Sequence, residues 1–345
     1  MAVPPNTKPI PILKLPFIPL NYIIQHFNPL AILDFSLLSR KCRYIIKSTN
    51  LEKYDMGLSF HSDQYLIRFQ RKDIFLFYFS VDMLRARNKY LQTKISPFTN
   101  NGNEVSIEFA KFWVNYVCDL FRTKFNWLFL NSNASIEHMS AVAEWTKSLI
   151  SECWCCYFAG DDANSESITR FFEIANFPIR FLVFDLKHEY EIAPINFGVL
   201  NAEEVRIFTK TSKNPVNWFT VEQMMRTNCS KMILGACTFD ENDLNQFIKG
   251  WINGNNSKME VFITVVKTID FVLVFDGIEV DVRDPMLVRP FYSSMLTHPL
   301  EFLIVGGLDI RRNDGTVASI QRGLEFAGPR IMHYFTMVVW PQGSS

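Results

Sequence analysis

The stretch DLNQFIKGWINGNNSKMEVF, residues 243–262, holds a helix, a turn and the opening of a strand, and it sets the pattern for the body of the chain. Leu244, Phe247, Ile248 and Trp251 recur at three- and four-residue spacing, which puts them on one face of a helix. Gly254 ends that helix, because glycine takes the left-handed geometry of a helix C-terminus without strain. A strand-like run follows over residues 259–264. Trp251 reads as a core anchor of this unit, since a large ring on an apolar face is first of all packing material.

Working outward, strand-like runs recur at residues 127–130, 153–158, 179–184, 205–208, 231–234 and 259–264, with centres 24–28 residues apart. Helix-compatible stretches lie between most of them, at 136–150, 167–175, 216–225 and 241–251. One strand and one helix per period of this length is the rhythm of a leucine-rich repeat, although the Leu-x-x-Leu-x-Leu consensus is absent. Two architectures satisfy the pattern: a leucine-rich-repeat-like βα stack, or a compact α/β domain with a mixed sheet. Either one lays helices against one sheet face and leaves a broad second face suited to holding another protein. Arg206, Lys231 and Glu260 are candidates for that face. The sequence does not set which parity of each strand it carries.

The flanks read as antiparallel. Residues 58–83 give two or three strands, with turns at Asp63 and Gln64 and at residues 71–73. Phe112, Tyr116 and Leu120, four apart, mark a helix over residues 109–121. Residues 308–320 carry a hairpin signal with Asp314 and Gly315 at the turn, and residues 335–340 a last strand. These tail strands either cap the stack or pair with those near residues 58–80. The expected fold class is therefore α+β or α/β. The expected domains are a helical module at 8–50, connecting strands and a helix at 51–125, the repeat-like body at 126–270, and C-terminal strands at 271–341.

The helical module is LPFIPLNYIIQHFNPLAILDFSLLSRKCRYIIKS, residues 15–48, preceded by a Pro-rich tail expected to be disordered over residues 1–11. Pro19 suits the first position of a helix, and Leu20, Ile23, Ile24 and Phe27 follow on one face. Asn28 and Pro29 break that helix and open a second, with Leu30, Leu33 and Leu37 as its apolar side. Ser39 caps a third, with Cys42, Ile45 and Ile46 inward. Some 40 residues in three short helices can barely bury their own core. The leftover apolar surface needs either the rest of the chain or a partner.

These residues resemble the F-box family. Leu15 and Pro16 stand at the start, Pro29 between the first two helices, and Leu30, Leu33 and Leu37 along the second. Ser39, Arg40, Lys41, Cys42 and Arg43 enter the third. A short aliphatic first helix, with Pro19 inside its entry, departs from the family pattern. The resemblance implies binding to the Skp adaptor (S-phase kinase-associated protein) and, through it, to a cullin. Leu15, Pro16, Pro29, Leu30, Leu33 and Leu37 would contact the adaptor or support the contact surface. Within residues 243–262, Trp251, Gly254, Asn256, Met259 and Glu260 resemble the F-box-associated type 2 domain of nematode F-box proteins, best matched over about 200–265. Together the two resemblances imply the substrate-recognition subunit of a ubiquitin ligase. The alternative is a scaffold that uses its F-box without ubiquitin transfer or packs it internally.

The remaining features point away from chemistry. Lys+Arg is 35 and Asp+Glu is 35, giving a formal net charge of +0. That balance argues against nucleic-acid binding and membrane adsorption. Arg85, Arg87, Lys89 and Lys94 read as a solvated basic stretch. Prolines 11, 16 and 19 interrupt the apolar N-terminal stretch, no apolar run is long enough to span a bilayer, and seven unpatterned cysteines suit the reducing cytosol or nucleus. Cys153 and Cys156 form a C-x-x-C, but within a strand-like run that would send them to opposite faces, so they read as structural thiols rather than a thiol-dependent enzyme's site. The expected catalytic residues, cofactors and metals are none.

Overall fold

The structure is a computed structural model that describes residues 11–60, 65–70, 74–79, 107–161, 163–186, 195, 200–208, 216, 218–235, 237, 239–266, 269–293, 300–327 and 330–341. The expected N-terminal tail through residue 10, the turns at residues 63–64 and 71–73, and the basic stretch from Arg85 to Lys94 lie outside the described residues. The chain divides into two compact units, one running to residue 125 and the other from residue 126, with residues 60–62 grouped in the second.

The first unit opens with helices α1 (Phe17–Gln25), α2 (Pro29–Leu38) and α3 (Arg40–Ser48). Asn28 caps α2 by accepting from the Ala31 N–H at 2.8 Å, and Ser39 caps α3 through the Cys42 N–H. α1 starts two residues earlier than Pro19 suggests. Pro19 sits in the first turn, where an N–H has no intrahelical acceptor and its loss costs nothing. Strands β1 (Asp55–Phe60), β2 (Tyr65–Gln70) and β3 (Ile74–Phe79) follow in order, β2 and β3 antiparallel. Helix α4 (Ile107–Phe121) completes the unit. Tyr54, Phe69 and Phe121 meet there with ring centroids 5.1–6.2 Å apart.

The second unit is a mixed sheet whose centre is the expected periodic array. Strands β4 (Phe125–Asn131), β5 (Cys153–Gly160), β6 (Ile179–Leu186), β7 (Ala202–Phe208), β8 (Lys231–Leu234) and β9 (Val261–Val266) lie side by side in chain order, all parallel. Helices α5 (Ile136–Leu149), α6 (Ser165–Ala175), α7 (Val221–Arg226) and α8 (Glu241–Ile252) come between strands. α7 is shorter than expected. Thr220 and Gln223 form a capping box that starts it at Val221, while Val216 bridges to Cys237 instead.

Register shows how the sheet is sealed. Leu128, Cys156, Leu182, Val205, Met232, Phe262 and Met337 form one row across seven strands. Leu130, Phe158, Phe184, Ile207, Leu234, Thr264 and Phe335 form the next. Every member of both rows is buried. This face meets the helices: Phe158 packs on Phe171 and Phe172 of α6, and Phe247 of α8 lies 4.5 Å from Phe262. Side chains of one face lie at the same height on each strand because the period is two.

The turn after α8 explains the quoted stretch. Gly254 takes φ +102 and Asn256 φ +51. Asn256 then points its Nδ2 at the Met224 and Thr227 carbonyls, at 3.0 and 2.6 Å, and so satisfies the open C-terminal end of α7. One unit of the array is thereby tied to the previous one.

After the short helix α9 (Phe271–Val274), the tail caps the array. β15 (Arg330–Val339) pairs antiparallel with β9, followed outward by β14 (Val317–Ala327), β13 (Leu308–Arg311) and β10 (Asp281–Val282). The expected hairpin is β13–β14, with Gly315 at φ +89. Strands β11 (Val288–Ser293) and β12 (Leu300–Val305) form a separate antiparallel ribbon.

Candidate partner-binding surfaces

In the first unit, α1 is apolar on two sides. Leu20 and Ile24 are buried, while Phe17, Ile18 and Tyr22 are exposed, Ile18 at 81%. Ile18 and Tyr22 are four apart and share a face. Leu38 at the end of α2 and Tyr44 on α3 are also exposed. α2 carries a single charge, Asp34, and buries Pro29, Ile32, Leu33, Phe35 and Ser36. A helix this apolar is stable only when packed on most sides.

One side of the helical module is already occupied. Arg43 and Lys47 of α3 each reach Asp119 of α4 at 2.6 Å, and the Arg43 guanidinium lies 4.4 Å from the centre of the Tyr116 ring. Ser36 and the Tyr116 hydroxyl are 2.9 Å apart, and Arg122 donates to the Lys47 carbonyl. The Lys47 and Arg43 hydrogen bonds hold the Asp119 carboxyl below the usual carboxylate range. The pair is exposed, so its net worth is under about 1 kcal/mol. Its value is orientation: α3 is fixed to α4, while α1 and the end of α2 keep their apolar side chains outside.

The six family-implied residues divide by depth. Leu33 is fully buried and Pro29 is buried at the first position of α2, so they form the floor. Leu15, Leu30 and Leu37 are half-buried and Pro16 is exposed. Phe17, Ile18, Tyr22, Leu38 and Tyr44 lie outside those six and are the more exposed side chains. The signal was there: α1 has more apolar residues than one face can bury.

The second face of the sheet in the other unit carries the row Trp127, Cys155, Phe181, Glu204, Lys231, Val261. This places Lys231 of β8 and, two residues along β7 from Glu204, Arg206 on the face opposite the helices. The expected broad open face is not what is found. Lys231 is 1% exposed and Glu204 is fully buried. Arg206 holds Glu204 at 2.6 Å and covers the Phe181 ring at 4.4 Å. The Tyr157 hydroxyl donates to Asp185 at 2.5 Å. Trp127, Trp154, Tyr157 and Phe208 pack half-buried around Cys155, Phe181 and Val183. Farther along, the β11–β12 ribbon places Phe291 and Ile304 on Val261, Val338 and Trp340. Glu260, just before β9, is exposed.

The cysteines are structural in setting. Burial pushes the Cys156 thiol well up, and the neighbouring Cys153 thiol adds to this. Burial pushes Cys229 up to about 12 and Cys118 up to about 11. Such thiols carry almost no thiolate at neutral pH, and the thiolate is the nucleophile. Among the described residues, no group of three or more His, Cys, Asp or Glu side chains is arranged to hold a metal ion. No helix among them is long and apolar enough to cross a membrane.

Residues 12–54 match the F-box domain family, and residues 194–263 match the family described as F-box associated. The chain is also 24% identical over 359 residues to an uncharacterized protein of Caenorhabditis elegans, covering 96% of this chain and 94% of that one. No solved structure matches the chain. The first family match spans all three N-terminal helices. The second spans the tie between α7 and the turn after α8.

Proposed function

We propose that this chain, a nematode-type F-box protein by its two family matches and its Caenorhabditis elegans relative, is the target-recognition subunit of a Skp–cullin–F-box ubiquitin ligase. It binds the Skp adaptor through the N-terminal helices and a target protein through the C-terminal body, and it works in the cytoplasm or nucleus. The observation that carries this reading is the N-terminal unit's unfinished surface: Phe17, Ile18, Tyr22 and Leu38 stay exposed although α4 already covers another side. A packed lead-in helix would have turned those side chains inward, at about 25 cal/mol for each Å² removed from water.

In this reading Leu15, Pro16, Leu30 and Leu37 join the exposed side chains in touching the adaptor, while Pro29 and Leu33 hold the helices at the right spacing from beneath. The chain contributes proximity, not bond-making. It holds a target beside a ubiquitin-conjugating enzyme, which supplies the thioester, and so raises the effective concentration of the target's lysines.

The test is co-expression with the Skp adaptor and a cullin, followed by purification through a tag on this chain. The proposal expects recovery of both. Recovery of the adaptor without the cullin would favour a scaffold outside ubiquitin transfer, and recovery of neither would remove the reading.

A further inference from the structure

The β11–β12 ribbon has two unlike faces. Arg289, Phe291 and Ile304 point inward, and Phe291 and Ile304 are buried. On the outer face Val288 stands opposite Val305 and Pro290 opposite Leu303, with Tyr292 next along the strand. Val288, Tyr292, Leu303 and Val305 are more than half exposed, and Met286, just before the ribbon, is 85% exposed. Beside the ribbon lies a cavity of about 810 Å³, walled by Pro290, Phe291, Trp340 and Pro341, with Lys258 and Glu260 at its rim.

The cavity is held in shape before anything enters it. Trp340 donates its indole N–H to Ser319 at 2.6 Å, and the Arg289 guanidinium lies 5.0 Å from the centre of its ring. Phe291 meets the same ring edge-on at 5.5 Å. Arg289 is gripped by both oxygens of Asp309, at 2.8 and 2.9 Å, and Ser319 donates to Asp309 at 2.5 Å. Three strands, β11, β13 and β14, therefore fix one aromatic wall, and a pre-formed wall loses little entropy on binding.

The size of the patch selects its occupant. Five side chains this exposed amount to on the order of 500 Å², the scale of the largest apolar patch on a soluble monomer. A stable dimer takes about 800 Å² from each partner. The patch is too small for a second copy of this chain, and it suits one segment of polypeptide with a pocket for a single side chain. We propose that the ribbon and its cavity are the target-docking site: an extended, uncharged segment of the target lies on the outer face and drops one aromatic or branched apolar side chain between Phe291, Pro290 and Trp340. This rests on the reading of the body as target-binding.

The test uses the purified full chain and a phage-displayed random dodecapeptide library. Selected peptides should share an apolar anchor residue. They should bind wild type and a Val272→Asp control equally, and bind a Tyr292→Asp, Val305→Asp double variant at least ten-fold more weakly. Met286→Asp serves if the double variant does not fold, with a loss of about three-fold expected. Failure to enrich any sequence, or equal affinity for the ribbon variants, would overturn the proposal. So would sedimentation showing a wild-type dimer that the double variant abolishes, because that assigns the face to a second copy. Skp-adaptor binding is measured on the same samples. Its absence, with peptide binding intact, would strike at the ligase reading and leave the docking site standing.

Discussion

The N-terminal helices and the βα body treat apolar surface in opposite ways. Across seven strands of the body, two full rows of side chains are closed off by helices. The three N-terminal helices leave Ile18, Tyr22 and Leu38 in water within 21 residues of sequence. Size explains part of this, since a short helical unit has too little interior for its apolar content. Position explains the rest. α4 covers the α3 side through Tyr116 and Asp119, so the exposed side chains are those that face away from the chain's own partner helix. The difference separates residues that hold the fold from residues left in water, although both are large and apolar.

Substitutions can break that contrast. Leu33→Asp places a carboxylate where nothing is exposed and should cost more than about 4 kcal/mol. Urea denaturation would show it as loss of the N-terminal unit. Trp251→Ala removes the anchor of α8 and should cost about 3–5 kcal/mol of the body's stability, read from the same curves. The N-terminal unit should then still capture the Skp adaptor. If capture falls in step with the body, the two units are not energetically separate.

Smaller changes sharpen the contrast. Asn256→Ala removes two hydrogen bonds to the end of α7 and a residue suited to positive φ, for about 2 kcal/mol by chemical denaturation. Asp309 supplies a pH dependence. Burial pushes its carboxyl up, but hydrogen bonds from Arg289, Ser319 and Arg283 outweigh burial, and its pKa is lowered on folding. A lowered carboxylate stabilises the fold above its unfolded pKa of about 4, and that contribution is lost as pH falls through the folded value. Urea midpoints should drop with acidification in that range, and Asp309→Asn should flatten the drop. At the small end, Ile18→Asp should change stability by less than about 0.5 kcal/mol, measured by thermal melting, despite deleting a large apolar side chain.

Periodicity made the body legible before any coordinates. A helix face in Leu244, Phe247, Ile248 and Trp251, repeated at steady spacing with strands, leaves few arrangements other than sequential parallel strands. What stayed hidden is what depends on long-range register. The parity of β7 and β8 is set by neighbours on both sides, and the fate of Arg206 and Lys231 by what lies over them. The β11–β12 ribbon has little sequence signal because Pro290 interrupts its alternation. The motif residues at the candidate adaptor surface were legible as a pattern, but their depth was not. Leu33 and Ile18 look equally apolar in sequence, and only tertiary packing buries one and leaves the other 81% exposed.

That difference supplies the most direct test. The affinity of the purified chain for the Skp adaptor would be measured by titration calorimetry for wild type and for an Ile18→Asp, Leu38→Asp double variant. Tight binding by wild type is expected, with a loss of at least a hundred-fold in the variant and an unchanged melting temperature. Binding by the variant as tight as by wild type would contradict it, as would a wild-type chain with no affinity for the adaptor.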